Sequence, residues 1–395
     1  MKGIKKPIVI VGAGFAGITT ALHLKNLDSN LPIIVIDSKS KFIFKPLMYE
    51  VLSNEIKSWE VEPSFNTLFA SRGITFVQKE LLKINLTKRS LFLKNDFEIQ
   101  YEYLFLCTGS IINSYSIKGV NEYCHFFNDM EDLNNLRIFL DKPLNNLDQK
   151  NLFIIGAGPS GIELACKISD IYNKKFKISV IERSNEILSR SKIFNREEAE
   201  KALEKRDIQL FLGTSVKQIS EEKIEISNSE SENESINYKG IIWTAGVKPN
   251  LPIFEESLLT HQGRILVNDR LQLESFKDVF VLGDISFLKT DQDIPLTAQS
   301  AMQQGIHASE NLYLSLQGKP MTSFEFQDNG EMISLGVGNA SIAALGITFS
   351  GEVAFEIRRL IYASKMPILE KSIQSAASWL IHKKNSFYNI IKKFQ

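Results

Sequence analysis

Two glycine-rich loops, each followed by a carboxylate at a similar distance, carry the clearest chemical pattern of the sequence. The first is GAGFAG at 12–17, and Asp37 follows its last glycine by 20 residues. The second is GAGPSG at 156–161, and Glu182 follows its last glycine by 21 residues. Such glycines permit a tight turn, a close approach to a pyrophosphate and close packing of a helix on a strand, while the acid bonds ribose hydroxyls. Each loop therefore predicts a dinucleotide site; glycines that serve only tight packing are the alternative, which the repetition disfavours.

The elements around the two loops repeat in the same order. Each loop lies between an apolar strand and a helix, and a second strand leads to the acid. Short strands follow in both halves, and then a final apolar strand that ends in a small-residue turn, in YEYLFLCTGS at 101–110 and in YKGIIWTAGV at 238–247. This order predicts an α/β fold with two Rossmann-like dinucleotide-binding domains. The polar tract at 228–235 is predicted to be an exposed hairpin tip.

The composition excludes several other classes of protein. Lys and Arg together number 46, as do Asp and Glu, and this balance argues against a nucleic-acid partner. The three cysteines form no CxxC pair and the five histidines are scattered, so no disulfide framework or metal site is predicted. Apolar runs are shorter than the roughly 20 residues that span a bilayer, and the N-terminus lacks a signal-peptide pattern. We expect an intracellular protein with at most peripheral membrane contact.

Three further segments are informative in combination. The strand DVFVLGD at 278–284 ends in a Gly-Asp pair, KFIFKPLMYEV lies at 41–51, and PLTAQSAMQQG lies at 295–305. With the two loops and the small-residue turns, these segments resemble the type II NAD(P)H:quinone dehydrogenases, flavoproteins of glutathione-reductase-like fold. Within that family, the segments 49–65, 193–199 and 329–351 look most similar to the demethylphylloquinone-reductase subgroup of cyanobacteria and plastids.

The resemblance implies which residues hold the cofactors. In the first domain, FAD is expected to contact Gly12, Gly14, Phe15, Ala16, Gly17, Asp37, Lys45, Thr108, Gly109, Gly283, Asp284 and Ala298. In the second, the substrate NADH or NADPH is expected to contact Gly156, Gly158, Gly161, Glu182, Ala245 and Gly246. The resemblance also implies a catalytic set of Glu163, near flavin and nicotinamide, with Gln299 and Gln303, which flank the quinone. Cys107 and the Ile285-Ser286 pair depart from the family pattern but remove no side chain that the site needs.

The catalytic set also has a direct chemical interpretation. Gln299 and Gln303 are spaced i, i+4 and share a helix face, and an amide can donate to a quinone carbonyl. Two surface amides are the alternative. Glu163 is predicted in the first turn of its helix, where the dipole favours a carboxylate in any case. Cys107 and Cys166 are predicted to be packing residues, and no cysteine follows Cys166, which argues against a sulfide:quinone reductase.

The nicotinamide preference is predicted not to be sharp. Glu182 is expected to bond the ribose 2′-hydroxyl and to repel a 2′-phosphate, which favours NADH. Arg183 follows directly and could accept that phosphate, and the subgroup resemblance implies NADPH.

The C-terminal region, from about residue 330, is predicted to be helical and to associate with membranes. Between Glu352 and Gln395 there are eight basic and three acidic residues. Phe387, Ile390, Ile391 and Phe394 follow a helical spacing among lysines, and Trp379 precedes them. An apolar face with lysines and an aromatic residue suits an anionic bilayer surface. A homodimer interface or a core-facing helix is the alternative.

These inferences predict an FAD-dependent enzyme that transfers electrons from NAD(P)H to a membrane quinone, demethylphylloquinone or plastoquinone, without pumping protons. The alternatives are a flavoprotein reductase of an iron–sulfur or other protein electron carrier, and a flavin-containing binding protein without turnover. The predicted domains are an FAD domain at 1–112 and 264–329, an NAD(P)H domain at 113–263, and a membrane-anchoring or dimerisation region at 330–395. The expected location is peripheral, on the cytoplasmic face of a membrane, which would be the thylakoid or plasma membrane in a cyanobacterium.

Overall fold

The computed structural model describes residues 5–143, 150–173, 175–228, 234–290, 292 and 294–367. The chain divides into two compact units, each assembled from separate parts of the sequence. The first unit contains residues up to 43, 62–111 and 247–328, and the second contains 44–61, 112–246 and the residues from 329 onward.

A five-stranded parallel sheet forms the centre of the first unit. Its strands are, in sheet order, β19 (Val279–Val281), β7 (Tyr103–Leu106), β1 (Ile8–Val11), β2 (Ile33–Asp37) and β3 (Thr75–Gln78). Every residue of β1 is apolar and buried, as expected for a parallel strand covered on both faces. Helix α1 (Phe15–Leu27) follows β1, and helix α9 (Ala298–Leu316) packs along α1.

Smaller elements complete the first unit. An antiparallel meander is formed by β4 (Leu81–Asn85), β5 (Ser90–Leu93) and β6 (Phe97–Gln100). Two small sheets pair β8 (Ser110–Ile112) with β16 (Val247–Pro249), and β18 (Arg264–Val267) with both β17 (Thr260–His261) and β20 (Ser286–Leu288). The short helix α4 (Phe65–Ala70) precedes β3.

The second unit repeats this plan around a four-stranded parallel sheet. The strands are, in sheet order, β11 (Gln209–Phe211), β10 (Lys177–Ile181), β9 (Asn151–Ile155) and β15 (Gly240–Trp243). Helix α7 (Pro159–Tyr172) follows β9. The other helices of this unit that precede residue 246 are α2 (Met48–Leu52), α3 (Ser58–Val61), α5 (Val120–Tyr123), α6 (Met130–Asp141) and α8 (Ile193–Glu204).

The predicted duplication extends to the meanders. In the second unit the meander is β12 (Ser215–Ile219), β13 (Lys223–Ser227) and β14 (Glu234–Asn237). Both meanders carry a register shift in the first strand pair, between Leu81 and Lys83 and between Val216 and Gln218. β13 and β14 flank the polar tract as antiparallel strands, and residues 229–233 of that tract lie outside the described residues.

The C-terminal region contains more strand than we predicted. Residues 331–351 form an antiparallel sheet of β21 (Glu331–Ser334), β22 (Ala340–Ala344) and β23 (Ile347–Gly351), followed by helix α10 (Glu352–Ser364). The helical prediction overlooked the glycines that turn the chain, such as Gly346, which has a φ of +78° between β22 and β23. Phe387, Ile390, Ile391, Phe394 and Trp379 lie outside the described residues. Within the described part of the chain, no helix is both long and apolar enough to cross a bilayer.

The compact units group three segments of the chain differently from the predicted domains. Residues 247–263 group with the first unit, where the Glu256 carboxylate accepts hydrogen bonds from the Thr87 N–H and hydroxyl, each at 2.9 Å. Residues 44–61 and the C-terminal sheet and helix group with the second unit. Long-range hydrogen bonds of polar side chains, such as those of Glu256 and Arg358, lie within these groupings and are not visible from sequence spacing.

Candidate functional site

The first glycine-rich loop is shaped by close backbone contacts. A Cβ at Gly12 would lie 2.3 Å from the carbonyl oxygen of Cys107, and one at Gly17 would lie 1.9 Å from the carbonyl oxygen of Gly12. By contrast, nothing lies within 4 Å of a Cβ at Gly14, the N-cap of α1. The loop therefore leaves free space at the position where the fingerprint requires a phosphate to approach the helix N-terminus.

Asp37 joins this loop to the end of β2. Its Oδ2 accepts a hydrogen bond from the Ala13 N–H at 2.7 Å, and its Oδ1 accepts one from the Lys39 N–H at 2.9 Å. A carboxylate oxygen can accept more than one hydrogen bond, so both oxygens retain capacity for ribose hydroxyls.

Two further turns of the first unit lie around Asp284. The Ser110 hydroxyl donates to Asp284 Oδ2 at 2.6 Å, and the Thr108 hydroxyl donates to the Asn250 carbonyl oxygen at 2.6 Å. Gly109, between Thr108 and Ser110, has a φ of +67° and open space beside it. The structure thus brings the Thr-Gly turn and the Gly-Asp turn together. Phe15 and Ala16 begin α1, where the Phe15 ring packs edge-on against Phe42 at 5.1 Å.

The two predicted quinone glutamines have different environments on α9. Both are half-buried, and Ala298 precedes them as the first residue of the helix. Gln303 is engaged: its Nε2 donates to the Gln327 carbonyl oxygen at 2.7 Å, and its Oε1 accepts from the Gln327 N–H at 2.9 Å. The side-chain amide of Gln299 makes no hydrogen bond to any of the described residues. Of the two amides, only that of Gln299 is thus available without breaking a protein contact.

Gln303 belongs to a row of polar side chains along α9. Asn311, two turns further along the helix, exchanges hydrogen bonds with both backbone groups of Thr322 at 2.8 and 2.9 Å. His307, between them, lies 3.0 Å from the same carbonyl oxygen. This row holds the extended segment 322–327 by its backbone, a role the sequence analysis did not predict.

The second glycine-rich loop has the same geometry as the first. A Cβ at Gly161 would lie 1.9 Å from the Gly156 carbonyl oxygen, whereas the space beside Gly158 is open. Glu182 Oε2 accepts from the Ala157 N–H at 2.8 Å, and its Oε1 accepts from the Ser184 N–H at 2.8 Å. Asp37 makes the equivalent bonds in the first unit. Each of the two acids accepts from the N–H of the residue after the first glycine of its loop and from the N–H of the residue two positions after the acid itself.

The Ala245-Gly246 turn lies at the end of β15 and is covered by a residue the sequence analysis missed. The Tyr115 hydroxyl donates to the Ala245 carbonyl oxygen at 3.2 Å and would lie 2.8 Å from a Cβ at Gly246. The Thr244 hydroxyl donates to the Ile155 carbonyl oxygen at 2.8 Å and connects this turn to the second loop.

Lys45 belongs to the second unit, whereas the other residues predicted for FAD belong to the first. It lies in the segment 44–61, and its ammonium donates to Asn128 Oδ1 at 2.6 Å. Its role at the flavin stays a prediction.

Glu163 lies in a buried charge cluster of the second unit. It is one residue beyond the first turn of α7, so the prediction of a first-turn position was wrong. Its Oε1 accepts from the Ser334 N–H at 2.8 Å and from Arg358 Nη2 at 3.1 Å. Arg358, on α10, also donates to Glu50 and to the Pro46 carbonyl oxygen. All three charged side chains are almost completely buried.

The two carboxyl groups of this cluster, Glu50 and Glu163, have different pKa values. Burial raises the pKa of Glu163 to about 7, although Arg358 and the Ser334 N–H both act to lower it. Burial also opposes ionisation of Glu50, yet the positive charge of Arg358 keeps the pKa of Glu50 below its ordinary value. Glu50 is therefore the permanent anion, and Glu163 is the carboxyl that can hold or release a proton near neutral pH.

Two more charged residues of α7 continue this contact surface. Lys167, fully buried, pairs with Glu55 and lies over the Phe355 ring at 5.1 Å. Asp170 accepts from the Val337 N–H at 2.8 Å and pairs with Arg206. Glu163, Lys167 and Asp170 thus form a stripe along α7. The sequence analysis found only the first of them, since their partners lie far away in the chain.

Sequence comparison with known proteins finds one matching family and several similar proteins. Residues 6–305 match the family described as pyridine nucleotide-disulphide oxidoreductase. Demethylphylloquinone reductase NdbB of Synechocystis sp. is 32% identical over 394 residues, spanning 96% of this chain and 97% of that protein. Alternative NAD(P)H-ubiquinone oxidoreductase C1, chloroplastic/mitochondrial, of Arabidopsis thaliana is 30% identical, spanning 95% of this chain and 80% of that protein.

Solved structures show the same fold at lower identity. NDH2 from Plasmodium falciparum in complex with NADH has a TM-score of 0.86 and 16% identity, covering 96% of this chain and 98% of that one. The sulfide:quinone oxidoreductase of Aquifex aeolicus has a TM-score of 0.77 and 16% identity, covering 94% of this chain and 92% of that one. These two likenesses support the predicted two-domain α/β fold.

Proposed function

The chain belongs to the pyridine nucleotide-disulphide oxidoreductase family, and we propose that it is an FAD-dependent oxidoreductase that transfers electrons from NAD(P)H to a membrane quinone. The printed names of its relatives, demethylphylloquinone reductase and NAD(P)H-ubiquinone oxidoreductase, support this activity. For the acceptor we propose a naphthoquinone of the demethylphylloquinone type, because the Synechocystis relative aligns over almost the full length of both chains. Plastoquinone is the competing acceptor.

The proposal rests on an arrangement that occurs twice in the chain and that we call a nucleotide cradle: a glycine-rich loop together with the carboxylate that follows it. Asp37 and Glu182 each accept a hydrogen bond from the residue after the first glycine of their loop, at 2.7 and 2.8 Å. Each loop also leaves open space beside its second glycine, Gly14 or Gly158. Two complete cradles in one chain suit an enzyme that holds one nucleotide and exchanges another, and they disfavour a binding protein without turnover.

The first cradle fits FAD. The N-terminus of α1 offers backbone N–H groups to the pyrophosphate, Asp37 can accept from ribose hydroxyls, and we assign the ribityl chain to Asp284. Once bound there, FAD would supply a reversible two-electron acceptor between NAD(P)H and quinone. The protein's contribution is to bind and orient this group.

The second cradle fits a nicotinamide nucleotide. Both oxygens of Glu182 are oriented by backbone N–H groups, so the carboxylate is held in place for a ribose. Arg183 is exposed beside it and can approach a 2′-phosphate. We therefore expect the enzyme to use both NADH and NADPH.

For the quinone, we assign the direct hydrogen bond to Gln299. Its amide has no competing partner among the described residues, whereas the amide of Gln303 already bonds both backbone groups of Gln327. We assign Glu163 the role of a proton-holding group, because its carboxyl is buried and titrates near neutral pH.

The lipid surface is the proposed source of the quinone. A quinone with a long apolar tail must enter from an apolar phase, and the basic, aromatic sequence after residue 367 suits anionic lipid. We propose peripheral attachment on the cytoplasmic face of the membrane, with a homodimer as the competing use of the same segment.

The test is steady-state oxidation of NADH and NADPH by the purified protein, with benzoquinones and naphthoquinones as acceptors. We expect a yellow protein whose flavin is bleached by either nucleotide and reoxidised fastest by a naphthoquinone. A protein that purifies without flavin, or whose reduced flavin is reoxidised only by an iron–sulfur protein, would overturn the proposal.

A further inference from the structure

Gln304, which follows Gln303 on α9, lies directly behind the Gly-Asp turn of the first unit. Its Oε1 accepts from the Gly283 N–H at 2.6 Å and from the Ser286 hydroxyl at 3.3 Å. Gln304 is only 4% exposed, so its carboxamide is buried within the protein. The carboxamide oxygen of Gln304 thus accepts hydrogen bonds from both ends of the turn, at Gly283 and at Ser286.

The turn is a conformation that needs such support. Gly283 has a φ of +71°, in the left-handed region, and it opens a single turn of 3-10 helix that ends at Ile285. Asp284 is the middle residue of this turn, and its carboxylate is fixed from the other side by the Ser110 hydroxyl at 2.6 Å. The direction of the Asp284 side chain is therefore set jointly, by Ser110 at the carboxylate and by Gln304 at the preceding N–H.

The same helix also contacts the element that carries the other FAD motif. A Cβ at Gly305 would lie 2.9 Å from the Ala16 carbonyl oxygen, so α9 can approach α1 this closely only because residue 305 is glycine. The Ser309 hydroxyl donates to the Thr20 carbonyl oxygen of α1 at 3.3 Å. Because α1 begins at the first glycine-rich loop, α9 contacts both the helix that follows this loop and the Gly-Asp turn.

We propose that Gln304 is a positioning residue of the FAD site, acting through Gly283 to aim Asp284 at the ribityl chain. The inference rests on the proposed function, in that it requires FAD to bind the first cradle. Without the carboxamide oxygen, the Gly283 N–H loses its acceptor and the left-handed turn loses its support. The cost falls on FAD affinity, because Asp284 then samples directions that do not face the cofactor.

The neighbouring Gln303 provides a matched control. It has the same side chain, lies on the same helix and also bonds a backbone N–H, but its partner is Gln327. Successive helix residues are about 100° apart around the axis, so the two side chains serve different segments. Gln303→Leu therefore measures the cost of losing an amide from α9 without touching the Gly-Asp turn.

The experiment measures the dissociation constant of FAD from the fluorescence released when the holoenzyme is diluted. We expect Gln304→Leu to raise this constant about ten- to hundredfold, Gln303→Leu to change it less than about twofold, and Gln304→Glu, which keeps an acceptor, to lie closer to the wild type. In an Asp284→Ala background, Gln304→Leu should add little, because the residue through which it acts is gone.

A dissociation constant for Gln304→Leu within about twofold of the wild type would overturn the inference, as would an equal effect of Gln303→Leu or full additivity with Asp284→Ala. If Gln304→Leu does not yield folded protein, Gln304→Asn, which stays polar but is too short to reach Gly283, replaces it under the same criteria. A wild-type protein that holds no FAD contradicts the proposed function itself, which separates the two failures.

Discussion

Arg358 Nη2 lies 3.1 Å from the carboxylate of Glu163, while Nη1 of the same guanidinium donates to Glu50. One buried cation therefore serves two buried carboxylates, which are 113 positions apart in the sequence, at 50 and 163. The pKa of Glu50 is lowered and that of Glu163 is raised to about 7, so Glu163 is the carboxylate of the two that takes up a proton near neutral pH. The predictions that follow begin with this cluster.

Glu163→Gln is expected to remove a pH dependence of stability. The folded-state pKa of about 7 lies above the ordinary 4.5, so the folded protein binds more protons than the unfolded chain between these values. The unfolding free energy should therefore fall as pH rises from about 4.5 to about 7, by about 3 kcal/mol, and level off above that. Urea unfolding across this range should show the fall in the wild type and in the surface variant Glu186→Gln, but not in Glu163→Gln. Equal slopes in all three would contradict the assignment.

Arg358→Met is expected to lower the unfolding free energy by about 3–5 kcal/mol, because it leaves two buried carboxylates without their cation. Arg358→Lys should recover part of this loss, since an ammonium restores the charge but not the forked geometry that reaches Glu50, Glu163 and the Pro46 carbonyl together. Adding Glu50→Gln to Arg358→Met should also recover part of it. A loss below about 1 kcal/mol in Arg358→Met would show that the cluster is not stabilising.

Gln299→Leu is expected to lower kcat/KM for the quinone about tenfold, which is the effect of losing one hydrogen bond of about 1.4 kcal/mol. Flavin reduction by NADPH, followed by stopped flow, should stay within twofold of the wild type. Slowed flavin reduction would instead place Gln299 at the nicotinamide.

Gln303→Leu is predicted from the sequence to slow quinone reduction while flavin reduction stays nearly intact. The bonds to Gln327 add a second expectation, a melting temperature lower by a few degrees, because both backbone groups of Gln327 lose their partners. Thermal unfolding and quinone kinetics of the same variant measure the two effects. An unchanged melting temperature would mean that water replaces the amide.

Glu182→Gln is expected to shift the ratio of kcat/KM for NADPH over NADH upward about tenfold, since it removes the negative charge that repels a 2′-phosphate. The amide can still accept from the Ala157 N–H, so the loop should keep its shape. Glu186→Gln, which changes a nearby acid paired with Arg196, is the control and should leave the ratio unchanged. A wild-type preference beyond about a thousandfold for either nucleotide would contradict the expectation that Glu182 favours NADH while Arg183 accepts the 2′-phosphate of NADPH.

Truncation after Pro367 is expected to release the protein from anionic liposomes and to reduce activity with long-tailed quinones more than with short ones. A cut after Phe355 would be less informative, because it also removes Arg358 and would disturb the buried cluster. Liposome co-sedimentation and kinetics with the two quinone types measure the outcome. Retained liposome binding with full long-tail activity would assign the segment to packing or dimerisation.

The duplicated cradles could be predicted from the sequence because their information is local. Each motif is a contiguous loop with an acid at fixed spacing, and the hydrogen bonds of Asp37 and Glu182 lie within these units. The meanders and the small-residue turns followed from the same repetition.

The polar contacts between distant segments could not be predicted in this way. Arg358 and Glu50 are 308 residues apart, and no spacing rule connects them. Gln303 and Gln304 are adjacent on α9, and their side chains point in directions about 100° apart around the helix axis. The sequence does not show which direction faces the Gly-Asp turn, so the bond of Gln304 to this turn could not be predicted. Strand character at 331–351 was not predicted, although glycines there separate short, mostly apolar runs and so mark turns between strands.

The contacts along α7 restrict how this protein can exchange parts with its relatives. A fragment of residues 112–246 would contain Glu163 and Lys167 but neither Arg358 nor Glu55, so both groups would lose their ion-pair partners together with the segments that bury them. Chimeras made to transfer nucleotide preference between related enzymes must therefore carry residues 44–61 and 329–367 together with the loop that reads the ribose. Recombination at a single pair of crossover points would separate this helix from the charges that keep it folded.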